Sequence, residues 1–229
     1  MPKSIQLFIL PFAGSKAAQF DELISELGEY VEAYTVEYAG RGNRAKEKYY
    51  TDYLAFMQDI SDFIKKHRDY DRPYALLGYS IGGLFAYDLI AKKYLEQPEY
   101  LFICACEDNQ KPLPKISKLP EDKFWDRVIQ LGGVDKRLVA RRKFLKLFSP
   151  VLRADFNIAE QYRYLESDKQ ISCPVSIFYS ETDTPFDTIR NWQNVCKLNI
   201  QFHEFSGDHF FLLQQHEKAA SIIINQLKR

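Results

Sequence analysis

Short apolar runs alternate with longer stretches of helical periodicity along most of this chain. The apolar runs predict six strands, at 5–10, 31–38, 74–80, 100–106, 175–180 and 200–206. Several of them are apolar on both faces, which is typical of strands inside a parallel sheet. The stretches with helical periodicity lie between them, at 16–28, 51–67, 82–95, 187–196 and 215–228. This order predicts an α/β fold, with a mostly parallel central sheet flanked by helices.

One region departs from the alternation. Between Cys106 and Pro174 the pattern predicts helices and no strand, and the predicted helices lie at 119–133, 135–148 and 154–165. An all-helical insertion between two strands of a sheet is typical of a cap. We therefore expect a single domain over residues 1–229, with a helical lid insertion at approximately 107–165.

A glycine-flanked serine lies where the third predicted strand meets the next helical stretch. The sequence GYSIGG, residues 78–83, follows an apolar run and opens a helical one. This is the context of the G-x-S-x-G turn, which holds its serine in a strained conformation with the oxygen exposed. Gly78 and Gly82 stand two residues either side of Ser80, where a Cβ atom would crowd the turn. We predict Ser80 as a nucleophile; the alternative is a tight turn whose serine caps a helix.

A serine hydroxyl needs a base to take its proton, and the chain has four histidines. His209 lies in a glycine-containing loop between the last strand and the last helix. A base at that place, after the serine and the acid in chain order, matches hydrolases built on this turn. We predict His209 as the base; a solvated loop histidine is the alternative. The others lie at a charged helix end, inside a strand and at a helix start: His67, His203 and His216.

Two aspartates compete for the acid that orients the imidazole and stabilises its cation. Asp183 follows the fifth predicted strand and Asp108 follows the fourth. Both stand at the carboxyl end of a strand, the edge where open α/β sheets bind ligands. We favour Asp183 and keep Asp108 as the rival. Asp208, beside the base in sequence, is predicted to be a turn residue.

A tetrahedral intermediate needs two backbone donors for its oxyanion. The amide of Ile81, directly after the nucleophile, is predicted to be one. The other is expected from the loop LPFAGS at 10–15, where a proline ends the first strand and a glycine eases the turn. Phe12 is the preferred donor and Ala13 the next choice; the alternative is an ordinary turn.

Composition excludes several classes of function. The 31 basic and 31 acidic residues balance, which removes the global electrostatic argument for nucleic-acid binding. No apolar run approaches the length of a membrane span, and the amino-terminal run is too short for a signal peptide. We therefore expect a cytoplasmic protein without nucleic-acid or membrane partners, and a monomer is the default expectation. No zinc-like spacing occurs, so we expect no metal or organic cofactor, and buried reduced thiols at Cys104, Cys106, Cys173 and Cys196.

Five segments together resemble one family nearly from end to end. They are PFAGS (11–15), EYAGRGNR (37–44), GYSIGGLFAYDL (78–89), LRADF (152–156) and GDHFFL (207–212). The serine segment is generic to hydrolases, whereas GRGNR, LRADF and GDHFFL are more specific. In combination they resemble the stand-alone type II thioesterases of nonribosomal peptide and polyketide assembly lines.

The resemblance implies an α/β-hydrolase fold with a mobile helical lid. It implies hydrolysis of acyl thioesters held on the phosphopantetheine arm of a carrier protein, for editing or for product release. Matched position by position, it makes the nucleophile, acid and base Ser80, Asp183 and His209, and the oxyanion donors Phe12 and Ile81. Three positions depart from the family pattern: Tyr79 stands where histidine is usual, Ser15 replaces a glycine, and Ala39 replaces a proline.

The predicted lid is basic. Residues 111–146 hold eleven Lys and Arg against four Asp and Glu, a net charge of +7 in a neutral chain. The resemblance implies an acidic carrier protein, whose approach such a lid would steer; the alternative is a solvated helix face. Two other functions stay open, a small-molecule carboxylesterase or lipase on the same fold and a non-catalytic carrier-binding protein.

Overall fold

The central sheet follows the predicted runs. The structure is a computed structural model that describes residues 5–107, 113–134, 142–163 and 171–228. Its strands are β1 Ile5–Leu10, β2 Val31–Thr35, β3 Tyr74–Tyr79, β4 Tyr100–Cys104, β5 Val175–Tyr179 and β6 Gln201–Glu204. Neighbouring strands pair in parallel throughout, in the order β2-β1-β3-β4-β5-β6. The predicted α/β fold with a parallel sheet is confirmed.

The strand order places a topological switch point between β1 and β3. From β1 the chain crosses to β2 on one side and then returns to β3 on the other. At such a point the loops leaving the two strands diverge and open a crevice at their carboxyl ends, which is where ligands bind in open α/β sheets. Here those loops are the segment after Leu10 and the turn at Ser80.

Eight α-helices lie in the described part of the chain. They are α1 Asp21–Leu27, α2 Tyr53–His67, α3 Ile81–Ala91, α4 Glu121–Gln130, α5 Arg142–Ala159, α6 Phe186–Ile189, α7 Phe211–Gln214 and α8 His216–Leu227. Side chains from α2 and α3 bury one face of the sheet, and side chains from α1 and α8 bury the other. Both faces are therefore covered, as the apolar runs of the strands require.

The prediction of two separate helices at 135–148 and 154–165, between β4 and β5, is wrong. Residues 142–159 form the single helix α5, which continues through Pro150. A proline inside a helix removes one hydrogen bond. Leu145 and Leu152, on one face of α5, bury against Phe124 and Val128 of α4, and this packing holds the helix together. Beyond α5, residues 160–163 of the second predicted helix form a turn and irregular structure instead, and residues 135–141 and 164–165 lie outside the described residues.

Other boundaries also differ from the predictions. The helix predicted at 187–196 is α6 followed by a 3₁₀ helix, Arg190–Val195. Within it Trp192 is fully buried and its indole N–H donates to the Cys106 carbonyl oxygen at 3.1 Å. The helix predicted at 16–28 begins with a 3₁₀ turn, Ala17–Phe20, before α1. Tertiary anchors such as the indole outweigh local periodicity at these positions.

The helical region between β4 and β5, described at 113–134 and 142–163, is called the cap segment below. Its helices share a small apolar core and a polar link centred on Glu121. That carboxylate accepts hydrogen bonds from the Trp125 indole at 2.9 Å and the Arg153 guanidinium at 2.9 Å, and from the Ser149 hydroxyl. Its hydrogen bonds, that from Ser149 foremost, lower the pKa of Glu121 to about 2.

Among the described helices, none combines the length and the apolarity needed to cross a membrane. All four cysteines are buried and free of disulfides. Burial raises the pKa of the Cys104 thiol well above its usual value, which keeps it protonated and unreactive.

Candidate active site

Ser80 occupies the strained turn that its sequence predicts. It lies between the last residue of β3 and the first of α3, with φ 55° and ψ −123°. A non-glycine residue at positive φ is uncommon and must be held by its surroundings. The Ser80 amide donates to the Cys104 carbonyl oxygen at 2.8 Å, and the Ser80 carbonyl oxygen accepts from the Gly83 amide at 2.8 Å. These bonds fix the turn at the carboxyl edge of the sheet.

The glycines around Ser80 let three backbone segments meet. A Cβ atom on Gly78 would overlap the backbone of Gly82, and one on Gly82 would overlap the carbonyl of Leu10. The start of α3 therefore lies directly against the end of β1. This contact brings the serine turn beside the loop predicted to supply the second oxyanion donor.

The predicted acid and base are in contact. The Nδ1 atom of His209 lies 2.9 Å from Oδ1 and 3.0 Å from Oδ2 of Asp183. Both side chains are largely buried, at 10% and 7% exposure, which strengthens their electrostatic attraction. A carboxylate at Nδ1 leaves Nε2 as the nitrogen free to take a proton. Within the described residues the Ser80 hydroxyl has no hydrogen bond to the imidazole; such bonds commonly tighten when substrate binds.

Two hydroxyls hold the loop that contains Asp183 (residues 180–185, the acid loop) against the loop that contains His209 (residues 205–210, the base loop). Ser180 Oγ and Thr182 Oγ1 both donate to the Gly207 carbonyl oxygen, each at 2.6 Å. Gly207 has φ 110°, a conformation open mainly to glycine. Asp183 and His209 thus stand on two loops that are joined two residues before the base.

Tyr79 links the serine turn to the base loop. Its hydroxyl donates to the His209 carbonyl oxygen at 2.6 Å. Its ring packs edge-on against Phe12, with centroids 5.1 Å apart. Tyr79 is fully buried, and burial raises the pKa of its hydroxyl well above the usual value, so the hydroxyl remains a donor.

The predicted oxyanion donors stand on neighbouring segments. Phe12 follows the end of β1, and Ile81 is the first residue of α3. In the described part of the chain, neither of their amides donates to a protein acceptor. Both residues are buried, at 6% exposure. Ala13, the second choice of donor, packs against the cap segment.

A buried ion pair holds the loop that contains Phe12. Arg41 makes two hydrogen bonds to Asp155 of α5, at 2.6 and 2.5 Å, with side-chain exposures of 4% and 6%. Asp155 Oδ2 also accepts from the Gly14 amide at 2.7 Å, and the carbonyl oxygen of Ser15 lies 3.4 Å from the Arg41 guanidinium. One carboxylate therefore joins the loop, the segment after β2 and the cap segment.

The cap segment also touches the acid–base pair. Gly132, in the turn that ends α4, has φ 71°. A Cβ atom on Gly132 would lie 3.3 Å from Asp183 Oδ1 and 3.3 Å from His209 Cβ. The turn thus covers the pair with backbone alone.

Other sequence candidates lie elsewhere. Asp108, the rival acid, is outside the described residues. Asp208 accepts from the Phe210 amide at 3.1 Å, which is the turn role predicted for it. The described residues whose ligand atoms approach closely enough for a metal are Glu26, His216 and Glu217; both glutamates are exposed, and nothing further marks a metal site.

Sequence reasoning assigned no role to Tyr79, Arg41, Asp155 or Gly132. Three of them stand in the resemblance segments, which is the signal that was available. Local patterns do not identify contacts between residues far apart in the chain. Asp155 is 114 residues from Arg41 and 141 residues from Gly14, the two residues that bind its carboxylate.

Comparison with known protein families shows which family the chain belongs to. The thioesterase domain family model matches residues 5–227. The chain belongs to the thioesterase domain family. This family consists of serine hydrolases that act on thioesters, and the predicted family resemblance is confirmed.

This thioesterase has relatives and structural neighbours that match over most of their length. It is 29% identical to the linear gramicidin dehydrogenase LgrE of Brevibacillus parabrevis, over 98% of this chain and 88% of LgrE. Its fold matches ClbQ from the colibactin pathway with a TM-score of 0.88, at 23% identity and 99% and 98% coverage. It matches the type II thioesterase BorB with a TM-score of 0.84, at 24% identity and 99% and 94% coverage. The α/β-hydrolase fold is thereby confirmed.

Proposed function

We propose that this thioesterase hydrolyses acyl thioesters held on the phosphopantetheine arm of a carrier protein, in nonribosomal peptide or polyketide biosynthesis. The observation that carries the proposal is the buried Asp183–His209 hydrogen bond beside the strained serine turn. ClbQ belongs to a nonribosomal peptide and polyketide pathway and BorB to the borrelidin biosynthetic cluster, which supports the substrate class. We expect a cytoplasmic monomer that needs no cofactor.

The first step in this proposal is transfer of the acyl group to the enzyme. Ser80 Oγ attacks the thioester carbonyl carbon while His209 Nε2 takes the hydroxyl proton. Asp183 stabilises the resulting imidazolium through Nδ1. The amides of Phe12 and Ile81 donate to the oxyanion. The tetrahedral intermediate then collapses, the carbon–sulfur bond breaks, and the phosphopantetheine sulfur leaves with the proton returned by His209.

The second step regenerates the serine. His209 takes a proton from a water molecule as the water oxygen attacks the acyl-enzyme carbonyl. The same two amides hold the second oxyanion. The ester bond breaks, Ser80 recovers its proton from His209, and the free acid departs.

We propose that the cap segment acts as a lid that also receives the carrier. The described cations Lys115, Lys118, Lys123 and Arg127 are all exposed on it. A carrier of opposite charge would be attracted to such a surface, and its association rate would fall as salt rises.

The name of LgrE raises a second candidate, a dinucleotide-dependent oxidoreductase. The usual phosphate-binding turn, G-x-G-x-x-G/A, opens an α-helix directly after a strand. The residues here with that spacing, 40–45, include the 3₁₀ turn Gly42–Arg44 and open no α-helix. Arg41 and Arg44 in this segment pair with Asp155 and Asp59. Acyl transfer at Ser80 is therefore the better-supported chemistry.

The nucleophile is tested by Ser80→Ala. We expect turnover of an acylated carrier protein to fall by about 10⁴-fold or more, with the circular dichroism spectrum and the Tm unchanged. A fluorophosphonate should label the wild-type protein and not the variant. Appreciable residual turnover, or equal labelling of both proteins, would show another nucleophile.

The substrate class is tested by comparing acylated carrier proteins with matched acyl-cysteamine thioesters and oxygen esters. We expect kcat/KM to be highest for the carrier thioester, and to fall with added salt for that substrate alone. Equal salt dependence for carrier and cysteamine substrates would remove the basic-lid proposal. A higher kcat/KM for oxygen esters would indicate that the protein is a small-molecule carboxylesterase or lipase. No turnover of any of these substrates would indicate a non-catalytic carrier-binding protein.

A further inference from the structure

Tyr79 stands at the meeting point of the proposed catalytic groups. It precedes Ser80 in the chain, and its hydroxyl donates to the backbone carbonyl of His209 at 2.6 Å. Its ring lies 5.1 Å from that of Phe12 and 5.9 Å from the His209 imidazole, measured between centroids. One side chain thus touches the serine turn, the base loop and the loop of the proposed oxyanion donor.

The position is also one of the three where this chain departs from the pattern of its family. The usual residue before the nucleophile is histidine, and tyrosine replaces it here. A tyrosine reaches farther and carries a hydroxyl at the end of a rigid ring. In this structure that hydroxyl ends on the His209 carbonyl oxygen.

We propose that Tyr79 is a positioning residue. Its hydrogen bond to the His209 carbonyl oxygen fixes the distance between the His209 loop and the serine turn. The inference rests on the proposed roles of Ser80 and His209. Tyr79 does not touch substrate in this scheme and acts through the base.

The attachments of the His209 loop lead to two different parts of the sheet. The side chain of His209 is held at Nδ1 by Asp183, and its loop is held at Gly207 by two hydroxyls. Both attachments lead to the loop after β5. Among the hydrogen bonds of the described residues, the one from the Tyr79 hydroxyl joins His209 to the end of β3, next to Ser80. Without it the acid and base can remain paired while the pair shifts relative to the serine oxygen, and a displacement of about 1 Å can cost up to 10²-fold in rate.

The test variant is Tyr79→Phe, and Tyr74→Phe is its matched control. Tyr74 is the first residue of the same strand, is equally buried, and also donates its hydroxyl to a backbone carbonyl, that of Glu96. It lies five residues away, about 17 Å along the strand. Each variant removes one hydroxyl and leaves one carbonyl oxygen without that donor, so similar losses of stability are expected.

We expect Tyr79→Phe to lower kcat about 10-fold with KM changed less than twofold, and Tyr74→Phe to leave both within twofold. The Nδ1 proton of His209, identified in ¹H NMR by its loss in His209→Ala, should give a sharp far-downfield resonance in the wild type and in Tyr74→Phe. It should broaden in Tyr79→Phe as the loop gains freedom.

The inference is overturned if the two Phe variants lose kcat equally, if neither loses it, or if the Nδ1 resonance is the same in both. Ser80→Ala in the same assays keeps this outcome separate from the larger proposal. If Ser80→Ala is inactive and Tyr79→Phe is unimpaired, the positioning role alone is wrong. If Ser80→Ala retains activity, the proposed mechanism itself is wrong.

Discussion

At the scale of the residue, a direct contact supports Asp183 as the proposed acid of the site. Asp183 reaches the Nδ1 atom of His209 at 2.9 Å with both side chains largely buried. An acid in this place holds the imidazole in the tautomer that can accept the serine proton. A thiolate leaves more readily than an amine, so thioester hydrolysis needs less help from a general acid than amide hydrolysis does. We therefore expect removal of the Asp183 carboxylate to lower the rate less than it would in a peptidase.

We predict that Asp183→Asn lowers kcat by about 10²- to 10⁴-fold, because an asparagine cannot stabilise the imidazolium. Asp108→Asn is the comparison, with an expected change in kcat of less than threefold. Single-turnover acylation of both variants measures the step directly. A larger loss in Asp108→Asn would transfer the role of acid to that residue.

The site residues that sequence could predict are those that stand in local patterns. Ser80 is marked by its glycines and by the strand and helix around it, and His209 by its loop after the last strand. The hydroxyl of Tyr79 and the carboxylate of Asp155 carry no such mark. Their partners are 130 and 114 residues away, and those pairings depend on how the sheet closes.

At the scale of the element, the strands were the easier prediction, because buried parallel strands are apolar without interruption. All of the first five strands, β1 to β5, begin at the predicted residues, and β6 begins one residue later than predicted. The cap segment was harder, since its helices bury only one face. The sequence predicts a break between residues 148 and 154, and α5 nevertheless continues through Pro150 because Leu145 and Leu152 both pack against α4.

The turn after α4 gives a prediction about the cap segment. In Gly132→Ala the new Cβ atom would lie 3.3 Å from Asp183 Oδ1 and 3.3 Å from His209 Cβ, on backbone at φ 71°. We expect the cap segment to be pushed off the acid–base pair, with stability lowered by about 1 kcal/mol and kcat lowered about threefold or more.

Gly28→Ala is the control that separates backbone strain from contact with the acid–base pair as the cause of the lower kcat. Gly28 has φ 61° and nothing within 4 Å of the position of a Cβ atom. It shares the positive φ without the contact, and its ψ of −154° adds backbone strain for an alanine. Urea unfolding should show a loss of stability in both variants, and steady-state kinetics should show a loss of kcat in Gly132→Ala alone. A normal kcat in Gly132→Ala would mean that this turn does not bear on the site.

At the scale of the whole molecule, three distant segments are joined by one carboxylate. Asp155 of α5 receives two hydrogen bonds from Arg41, which follows β2, and one from the Gly14 amide, which follows β1. A Cβ atom on Gly14 would lie 2.7 Å from a methyl of Leu152 on the same helix. The cap segment and the proposed oxyanion loop are therefore packed as one unit.

Removing one partner of this pair should cost both stability and rate. In Asp155→Asn the guanidinium of Arg41 stays buried without a countercharge, and we expect a loss of about 3–5 kcal/mol in the free energy of unfolding. The control is Asp59→Asn. Asp59 pairs with Arg44 through two hydrogen bonds as well, but both side chains are 21% exposed, and its loss should cost less than about 1 kcal/mol.

The double variant Arg41→Met, Asp155→Leu then separates stability from positioning. Replacing a buried ion pair by apolar side chains of similar size is often neutral or stabilising, so unfolding in urea should return near the wild-type midpoint. The Gly14 amide would still lack its acceptor, and the loop that carries Phe12 would lose one of its anchors. We expect kcat to remain about 10-fold low in a protein of normal stability. Recovery of kcat together with stability would mean that the ion pair serves folding alone.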